Sequence, residues 1–324
     1  MNMRALLLVL VIGLAGCGPV TLTVGGGYDR SLESEVVYAE PGAGRSQVAI
    51  VDVSGIIQNA RRPALLEPGE HPVGRFDEQL RAAAEDPHVK AVLLRINSPG
   101  GTVVATEAMY RRLMRFRSRT GKPVVALMMD VAASGGCFVA LGADEIVAYP
   151  TTVTGSIGVI ARTISVEPAL GRIGVQVESF RSGPNKAAGS PLSTMNDQQR
   201  AIYQQMVDDF FQRFRQVVRT RRPGMSEAAF TELTDGRIVS GLRAADAGLI
   251  DHVGDLDAAF ERAKTLAGLR AASMIAWRRP RGYVGSPYAR TSDRVLRLEL
   301  PGMDMAPAAG ARLGFYYLWD PSIR

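Results

Sequence analysis

Cysteine and histidine are scarce in this chain of 324 residues, and each shortage excludes a class of protein. Two cysteines cannot build a disulfide framework. Three histidines, with no cluster of cysteines or carboxylates around them, give no recognisable metal-binding pattern. The net charge of +6 is modest, and no dense basic run is interleaved with aromatics. We therefore expect no disulfide, no metal, no cofactor and no nucleic-acid partner.

Lysine is rarer still, since only 4 of the 38 basic residues are lysine. They are Lys90, Lys122, Lys186 and Lys264. The chain uses arginine wherever positive charge alone is needed. Arginine stays protonated in proteins, whereas a buried lysine can lose its proton. The four lysines are therefore candidates for chemistry that arginine cannot perform.

The first 16 residues have the pattern of a secretory signal. Arg4 precedes an apolar stretch over residues 5–14, which is shorter than the roughly 20 residues that span a bilayer. Residues 14–17, Leu-Ala-Gly-Cys, resemble the lipobox of bacterial lipoproteins. The resemblance implies cleavage before Cys17 and a diacylglycerol on its sulfur, so we expect export and lipid anchoring to an envelope membrane, facing the periplasm. An uncleaved anchor or ordinary secretion are the alternatives, and Gly18 leaves the choice of membrane open.

The rest of the chain divides by composition. Residues 17–45 are rich in Gly, Ser and Pro and predict a flexible tether after the lipid-modified cysteine. Over residues 46–277 strand patterns such as "QVAIVDVSGII", "VKAVLLRIN" and "VQVESF" alternate with helical ones, and Asn196 is placed to cap a long helix reaching about Arg221. This alternation predicts one α/β domain with a largely parallel sheet. Residues 278–324 form an extension of unknown role.

Two glycine-rich turns, "NSPGG" and "DVAASGG", follow buried strands. In parallel sheets the active groups lie at the carboxyl ends of strands, so both turns are candidate sites. Ser134 lies on the second turn and could act as a nucleophile if a base and oxyanion donors are nearby. The glycines let backbone amides approach a substrate. A helix-capping serine with glycines for close packing is the alternative interpretation.

No histidine fits the role of base, because His71, His88 and His252 all lie away from these strand ends. Lys186, in "SFRSGPNKAAGSPLSTM", follows a predicted strand among small residues. Burial of a lysine favours its neutral form, and a Ser–Lys pair is an attested catalytic arrangement. A solvated loop lysine is the alternative. Ser156 in "VTGSIGV" could hold the amine by a hydrogen bond, although serine and glycine are common in turns anyway.

Taken together, "INSPGG", "AASGG", "ADEIVAYPTTVTGSIGV" and "SGPNK" resemble the signal peptide peptidase A family of serine–lysine peptidases. Four motifs occur in order between about residues 46 and 277. The resemblance implies the Clp protease/crotonase-like fold, built from repeated β-β-α units with a largely parallel sheet in a single main domain. It also implies ring- or bowl-shaped homo-oligomers with composite, apolar substrate grooves.

The resemblance assigns roles by position. Ser134 matches the nucleophile, Lys186 the general base and Ser156 the serine that orients the lysine. Gly101 and Gly135 match the oxyanion donors. The implied substrates are remnant signal peptides or other envelope peptides with apolar segments. Two departures are visible: Cys137 replaces the aromatic residue that usually follows the two glycines, and a lipid replaces the usual transmembrane anchor.

The leading hypothesis is a lipid-anchored serine endopeptidase that works through an acyl-enzyme. One alternative is a peptide-binding envelope scaffold that does not cleave. The other is a crotonase-type acyl-CoA enzyme, which would share the fold but needs neither Ser134 nor Lys186, and whose cytosolic substrate conflicts with export.

Overall fold

A computed structural model describes residues 32–60, 71–278 and 314–319. The predicted signal peptide over residues 1–16 and the predicted lipid site Cys17 lie outside these ranges. The strands of the described residues are β1 (Glu33–Ala39), β2 (Gln47–Ser54), β3 (Val89–Ser98), β4 (Gly100–Thr102), β5 (Val124–Ala133), β6 (Glu145–Ala148), β7 (Val153–Gly155), β8 (Ile160–Arg162), β9 (Ile238–Ser240), β10 (His252–Val253), β11 (Ser273–Arg278) and β12 (Gly314–Leu318). The helices of the same residues are α1 (Pro72–Glu85), α2 (Val103–Thr120), α3 (Gly135–Ala140), α4 (Glu167–Arg172), α5 (Asp197–Arg221), α6 (Glu227–Leu233), α7 (Gly241–Asp246) and α8 (Leu256–Leu266).

Nine strands form one mainly parallel sheet. Its order is β1-β11-β2-β3-β5-β6-β10, and β7 joins it by pairing with β5 and β9. The neighbours from β11 to β10 are all parallel, whereas β1 and β9 are antiparallel additions. The central strands are almost wholly buried, as their near-continuous apolar runs predict for a sheet covered on both faces. The predicted α/β class with one main domain is confirmed.

Helices cover both faces of this sheet. On one face α1, α2 and α5 bury side chains that include Phe76, Leu113 and Phe214. On the other face α8 buries Phe260. Leu93 and Leu94, adjacent in β3, belong to opposite clusters because successive side chains of a strand point to opposite faces.

Helix α5 begins where the sequence predicts. The Asn196 side chain accepts a hydrogen bond from the Gln199 amide at 2.9 Å, and the Gln199 side chain accepts one from the Asn196 amide at 3.3 Å. This reciprocal capping box satisfies two amides that a helix start leaves unpaired. The predicted helix from Asn196 to about Arg221 is therefore confirmed.

Two strands of the structure lie outside the predicted domain range of residues 46–277. Strand β1 lies inside the predicted tether and pairs antiparallel with β11. Strand β12 lies inside the unassigned extension and forms a separate three-stranded sheet between β4 and β8. Both strands pair with residues that are far away in the sequence. The local composition therefore does not predict them.

The predicted strand over residues 175–180, "VQVESF", is wrong. These residues form no strand, and all six are exposed. Their alternating apolar pattern is typical of a strand, but among the described residues no other strand pairs with them. The segment from Ile164 to Leu192 instead exposes several large apolar side chains, of which Phe180 is 95% exposed.

A buried ion pair fixes the start of the described chain to the domain. Lys264 on α8 is 4% exposed, and its Nζ lies 2.6 Å from a carboxylate oxygen of Glu40 and 2.6 Å from one of Glu261. Burial alone would lower the pKa of Lys264, but the hydrogen bonds to Glu261 and Glu40 outweigh it and raise that pKa. Glu40 also accepts the Ala272 amide at 2.9 Å, which joins the end of β1 to the start of β11.

We expect Lys264→Met to lower the free energy of unfolding by about 3 kcal/mol, because it leaves the Glu40 carboxylate half-buried without its cation. Urea unfolding followed by circular dichroism measures this change. The control is Lys90→Met, which removes an exposed lysine whose Nζ donates to the Pro87 carbonyl at 2.8 Å. Equal stability of the two variants would contradict the structural role of Lys264.

Candidate active site

The two glycine-rich turns lie side by side, because their strands are neighbours. Strands β3 and β5 pair in parallel, and Ser98 near the end of β3 lies opposite Ala132 near the end of β5. The carboxyl ends of these strands therefore deliver "NSPGG" and "DVAASGG" to one edge of the sheet. The packing is tight, since a Cβ added to Gly136 would lie 2.6 Å from the Ser98 carbonyl oxygen.

Ser134 occupies a strained position between β5 and α3. Its φ is +50°, and the residue is 1% exposed. Its amide donates to the Gly155 carbonyl at 2.8 Å, and its own carbonyl accepts the Phe138 amide at 2.9 Å. A non-glycine residue in this backbone region costs about 1–3 kcal/mol and is typically kept at functional sites. Within the described residues its side chain makes no hydrogen bond, so it does not serve as a helix cap.

Ser156 has the same unusual backbone, with φ also +50°. It follows Gly155, which lies opposite Ala133 in the β5–β7 pair, so the two serines leave neighbouring strand ends. The Ser156 amide donates to the Arg237 carbonyl at 2.6 Å. Among the residues that the structure describes, Ser134 and Ser156 are the two non-glycine residues with positive φ.

The predicted oxyanion glycines lie on two segments that pack together: Gly135 follows Ser134 at the start of α3, and Gly101 lies on β4, whose first residue approaches the Gly135 nitrogen. Gly135 is the first residue of α3, so its amide has no acceptor within the helix. Gly101 in β4 forms a parallel β-bridge with Ile57. The hydrogen bonds of that bridge are donated by the amides of Ile57 and Thr102, so the Gly101 amide points away from Ile57.

Gly100 is a constraint that sequence reasoning missed. Its φ is +103°, and a Cβ there would lie 2.6 Å from the Gly135 nitrogen and overlap the Tyr317 carbonyl oxygen. The sequence signal is the glycine pair of "NSPGG", whose amides are both candidate oxyanion donors, but the pair alone does not show that Gly100 needs a positive φ.

Lys186 is the predicted site residue that the single chain does not bring to the others. It lies in a turn, is exposed, and its amide donates to the Gly183 carbonyl at 3.3 Å. Its Nζ has no hydrogen bond or ion pair within residues 32–60, 71–278 and 314–319. In the described part of the chain, Lys186 is thus exposed and makes no side-chain hydrogen bond with Ser134 or Ser156.

Two of the histidines have structural roles instead. His71 caps α1 by accepting the Gly74 amide at its Nδ1 at 3.2 Å. His252 lies 3.2 Å from a Glu145 carboxylate oxygen, which also binds Arg262. In the described part of the chain, no group of three His, Cys, Asp or Glu side chains could hold a metal ion.

Cys137 is a free cysteine buried in the core. It is 0% exposed, and burial raises the pKa of its thiol to about 11 against a smaller opposing effect of a hydrogen bond with Thr154. The aromatic ring at this site comes from the next residue, Phe138. Phe138 packs against Tyr110, Phe214 and Tyr317, with ring centroids 4.9–5.3 Å apart.

We expect Cys137 to be inert to a colorimetric disulfide reagent in the folded protein. At pH 8 a thiol with a pKa near 11 has a thiolate fraction about 10²-fold smaller than a free thiol, and burial also blocks access. The measurement uses Cys17→Ser, so that Cys137 is the one thiol present. In urea the same protein should release one equivalent of reagent anion. Rapid reaction of the folded protein would show that Cys137 faces solvent or the groove.

Comparison with known proteins shows the family to which the chain is similar. The family model described as Peptidase family S49 matches residues 117–270, and the Clp protease model matches residues 71–154. The protease candidate slr0021 of Synechocystis sp. is 34% identical over 225 residues, which cover 69% of this chain and 76% of that protein. A candidate signal peptide peptidase SppA of Enterococcus faecium is 30% identical over 269 residues, or 79% of this chain and 78% of that protein.

A longer relative shows the same likeness over part of its length. Protease 4 of Salmonella typhi is 33% identical over 243 residues, which cover 75% of this chain and 37% of that protein. The predicted resemblance to the signal peptide peptidase A family is thus confirmed, with the Clp protease-like fold that it implies. The matches support a serine peptidase, and by fold and sequence together the chain belongs to peptidase family S49.

Proposed function

We propose that the protein is a serine endopeptidase in which Ser134 is the nucleophile and Lys186 the general base. The observation that carries the proposal is the strained, buried Ser134 beside the amides of Gly101 and Gly135. In this arrangement the Ser134 hydroxyl can approach the carbon of a peptide carbonyl while the carbonyl oxygen accepts hydrogen bonds from backbone amides. Acyl transfer needs this geometry.

The reaction then runs in two halves. The Ser134 Oγ attacks the peptide carbonyl carbon while the neutral Lys186 amine takes the hydroxyl proton. The Gly101 and Gly135 amides stabilise the oxyanion, and the lysine returns the proton to the leaving amine. Water, deprotonated by the same lysine, then hydrolyses the acyl-enzyme ester. Ser156, which leaves the adjacent strand end, is proposed to hold the amine in place.

The exposed position of Lys186 supports a site that is completed by a second copy of the chain. The segment that holds Lys186 exposes Ile173, Val175 and Phe180, which are 73%, 44% and 95% exposed. Contiguous exposed apolar residues mark interaction surfaces. We therefore propose a homo-oligomer in which this segment packs on a neighbour and brings Lys186 to that neighbour's Ser134.

The proposed location is a bacterial envelope membrane, with the domain facing the periplasm and a lipid on Cys17. Cys17 lies outside the described residues, so this part rests on the lipobox-like sequence. Over the described residues, no helix is both long enough and apolar enough to cross a membrane. Remnant signal peptides and other envelope peptides with apolar segments are the proposed substrates.

Labelling with a fluorophosphonate probe tests the dyad. Ser134→Ala should abolish labelling, and Lys186→Ala should slow it by about 10²–10⁴-fold, the usual contribution of a positioned base. Lys90→Ala, which removes another exposed lysine, is the matched control and should label like the wild type. Labelling that survives Ser134→Ala would refute the nucleophile. No labelling in any variant would favour the non-catalytic scaffold.

Co-expression of Ser134→Ala with Lys186→Ala tests whether the dyad forms between copies. If each site combines a serine from one copy with a lysine from its neighbour, random mixing gives about a quarter of the sites both groups. Labelling should then recover to about a quarter of the wild-type value for the total protein, which is about half for each Lys186→Ala chain, since half of its neighbours carry the lysine. A dyad formed within one chain predicts no recovery, and that result would overturn the shared site.

A further inference from the structure

Strand β5 contains a bulge shortly before it reaches Ser134. In the β3–β5 pair, Ile96 lies opposite Met128, and the next partners are Ser98 and Ala132. The chain therefore advances by two residues along β3 and by four along β5. A bulge bends its strand and redirects the side chains that follow it, and bulges are over-represented next to active sites.

The bulge is also the point at which β5 changes its neighbour. Up to Met128 the strand pairs with β6, and from Val131 it pairs with β7. Strand β3 pairs with β5 both before and after the bulge. The bulge therefore sets how far the end of β5 is shifted along β3. It thereby sets the position of Ser134 relative to the turn after β3, which leads to Gly101.

The hydroxyl of Thr152 binds two carbonyls of the bulge. Its Oγ1 lies 3.0 Å from the Met128 carbonyl oxygen and 2.7 Å from that of Met129. Thr152 is 1% exposed and lies between β6 and β7, where its own amide donates to the Tyr149 carbonyl at 3.1 Å. One buried hydroxyl thus holds the β6–β7 turn against the bulge.

The side chain of Asn97 holds the bulge from the other neighbouring strand. Its Oδ1 accepts the Val131 amide at 3.3 Å, and its Nδ2 donates to the Asp130 carboxylate at 2.9 Å. The next residue of β3 is Ser98, whose hydroxyl accepts the Gly100 amide at 3.1 Å. The same end of β3 therefore contacts both the bulge and the turn that leads to the proposed oxyanion donor.

We propose that Thr152 and Asn97 are positioning residues for the nucleophile. They hold the bulge of β5 so that Ser134 lies within reach of the amides of Gly101 and Gly135. The inference rests on the proposed peptidase function, because it concerns the geometry of that same site. Both side chains act through the backbone of residues 128–131. A displacement of reacting groups by about 1 Å can cost about 10²-fold in rate, so the bulge affects the rate even though it lies outside the site.

The variants Thr152→Val and Thr152→Ser test the buried contact in the full chain. Valine keeps the shape of threonine but removes the hydroxyl, so the maximal rate of fluorophosphonate labelling should fall about 10–100-fold, with little change in the probe concentration that half-saturates it. Serine keeps the hydroxyl and should retain most of the rate. Thr231→Val, at an exposed threonine on α6, is the control and should match the wild type. A folded Thr152→Val chain that labels at the wild-type rate would overturn the proposal.

An exchange of Asn97 and Asp130 tests the second contact with almost no change in volume. Asn97→Asp places two carboxylates face to face and should slow labelling. Adding Asp130→Asn to that variant should recover most of the lost rate, because the new amide at position 130 can donate to the new carboxylate at position 97. If the contact served stability alone, the folded variants would all label at the wild-type rate. That result, or a double variant that labels no faster than Asn97→Asp, would refute the positioning role of Asn97.

Hydrogen–deuterium exchange of residues 128–138 separates this inference from the peptidase proposal. The Ser134 amide donates to the Gly155 carbonyl and is protected while the end of β5 stays in place. Faster exchange in Thr152→Val than in Thr231→Val supports the positioning role even if the wild type does not label, in which case the peptidase proposal alone fails. Equal exchange in the two variants would overturn the positioning role, and labelling of the wild type would then leave the peptidase proposal standing.

Discussion

The pairing of β7 with the last residues of β5 is the interaction on which the site depends. Strand β5 pairs with β6 along its first half and with β7 at its end, where Ala133 lies opposite Gly155. The amide of Ser134 then donates to the Gly155 carbonyl at 2.8 Å. Ser134 and Ser156 both have positive φ, which costs about 1–3 kcal/mol for each residue, so the paired strands and their buried surroundings must hold them there.

This arrangement divides the site into two unlike parts. The serines and oxyanion glycines belong to the sheet, where Ser134 and its neighbours are almost fully buried and fixed by backbone hydrogen bonds. Lys186 belongs to a segment of turns with exposed apolar side chains. In the proposed function the buried Ser134 and the exposed Lys186 come into contact when a neighbouring copy of the chain packs against this segment. Assembly and catalysis are therefore coupled in the proposed function.

The parts predicted from the sequence are those decided locally. Buried apolar runs predict the parallel strands, and Asn196 predicts the start of α5. Small residues at the strand ends indicate Ser134 and Gly135 as candidate site residues. Strands β1 and β12 were missed because they owe their conformation to distant partners. Residues 175–180 were assigned a strand from their alternation, although strand formation also needs an edge to pair with. The distance from Lys186 to Ser134 depends on tertiary or quaternary contacts that no local pattern encodes.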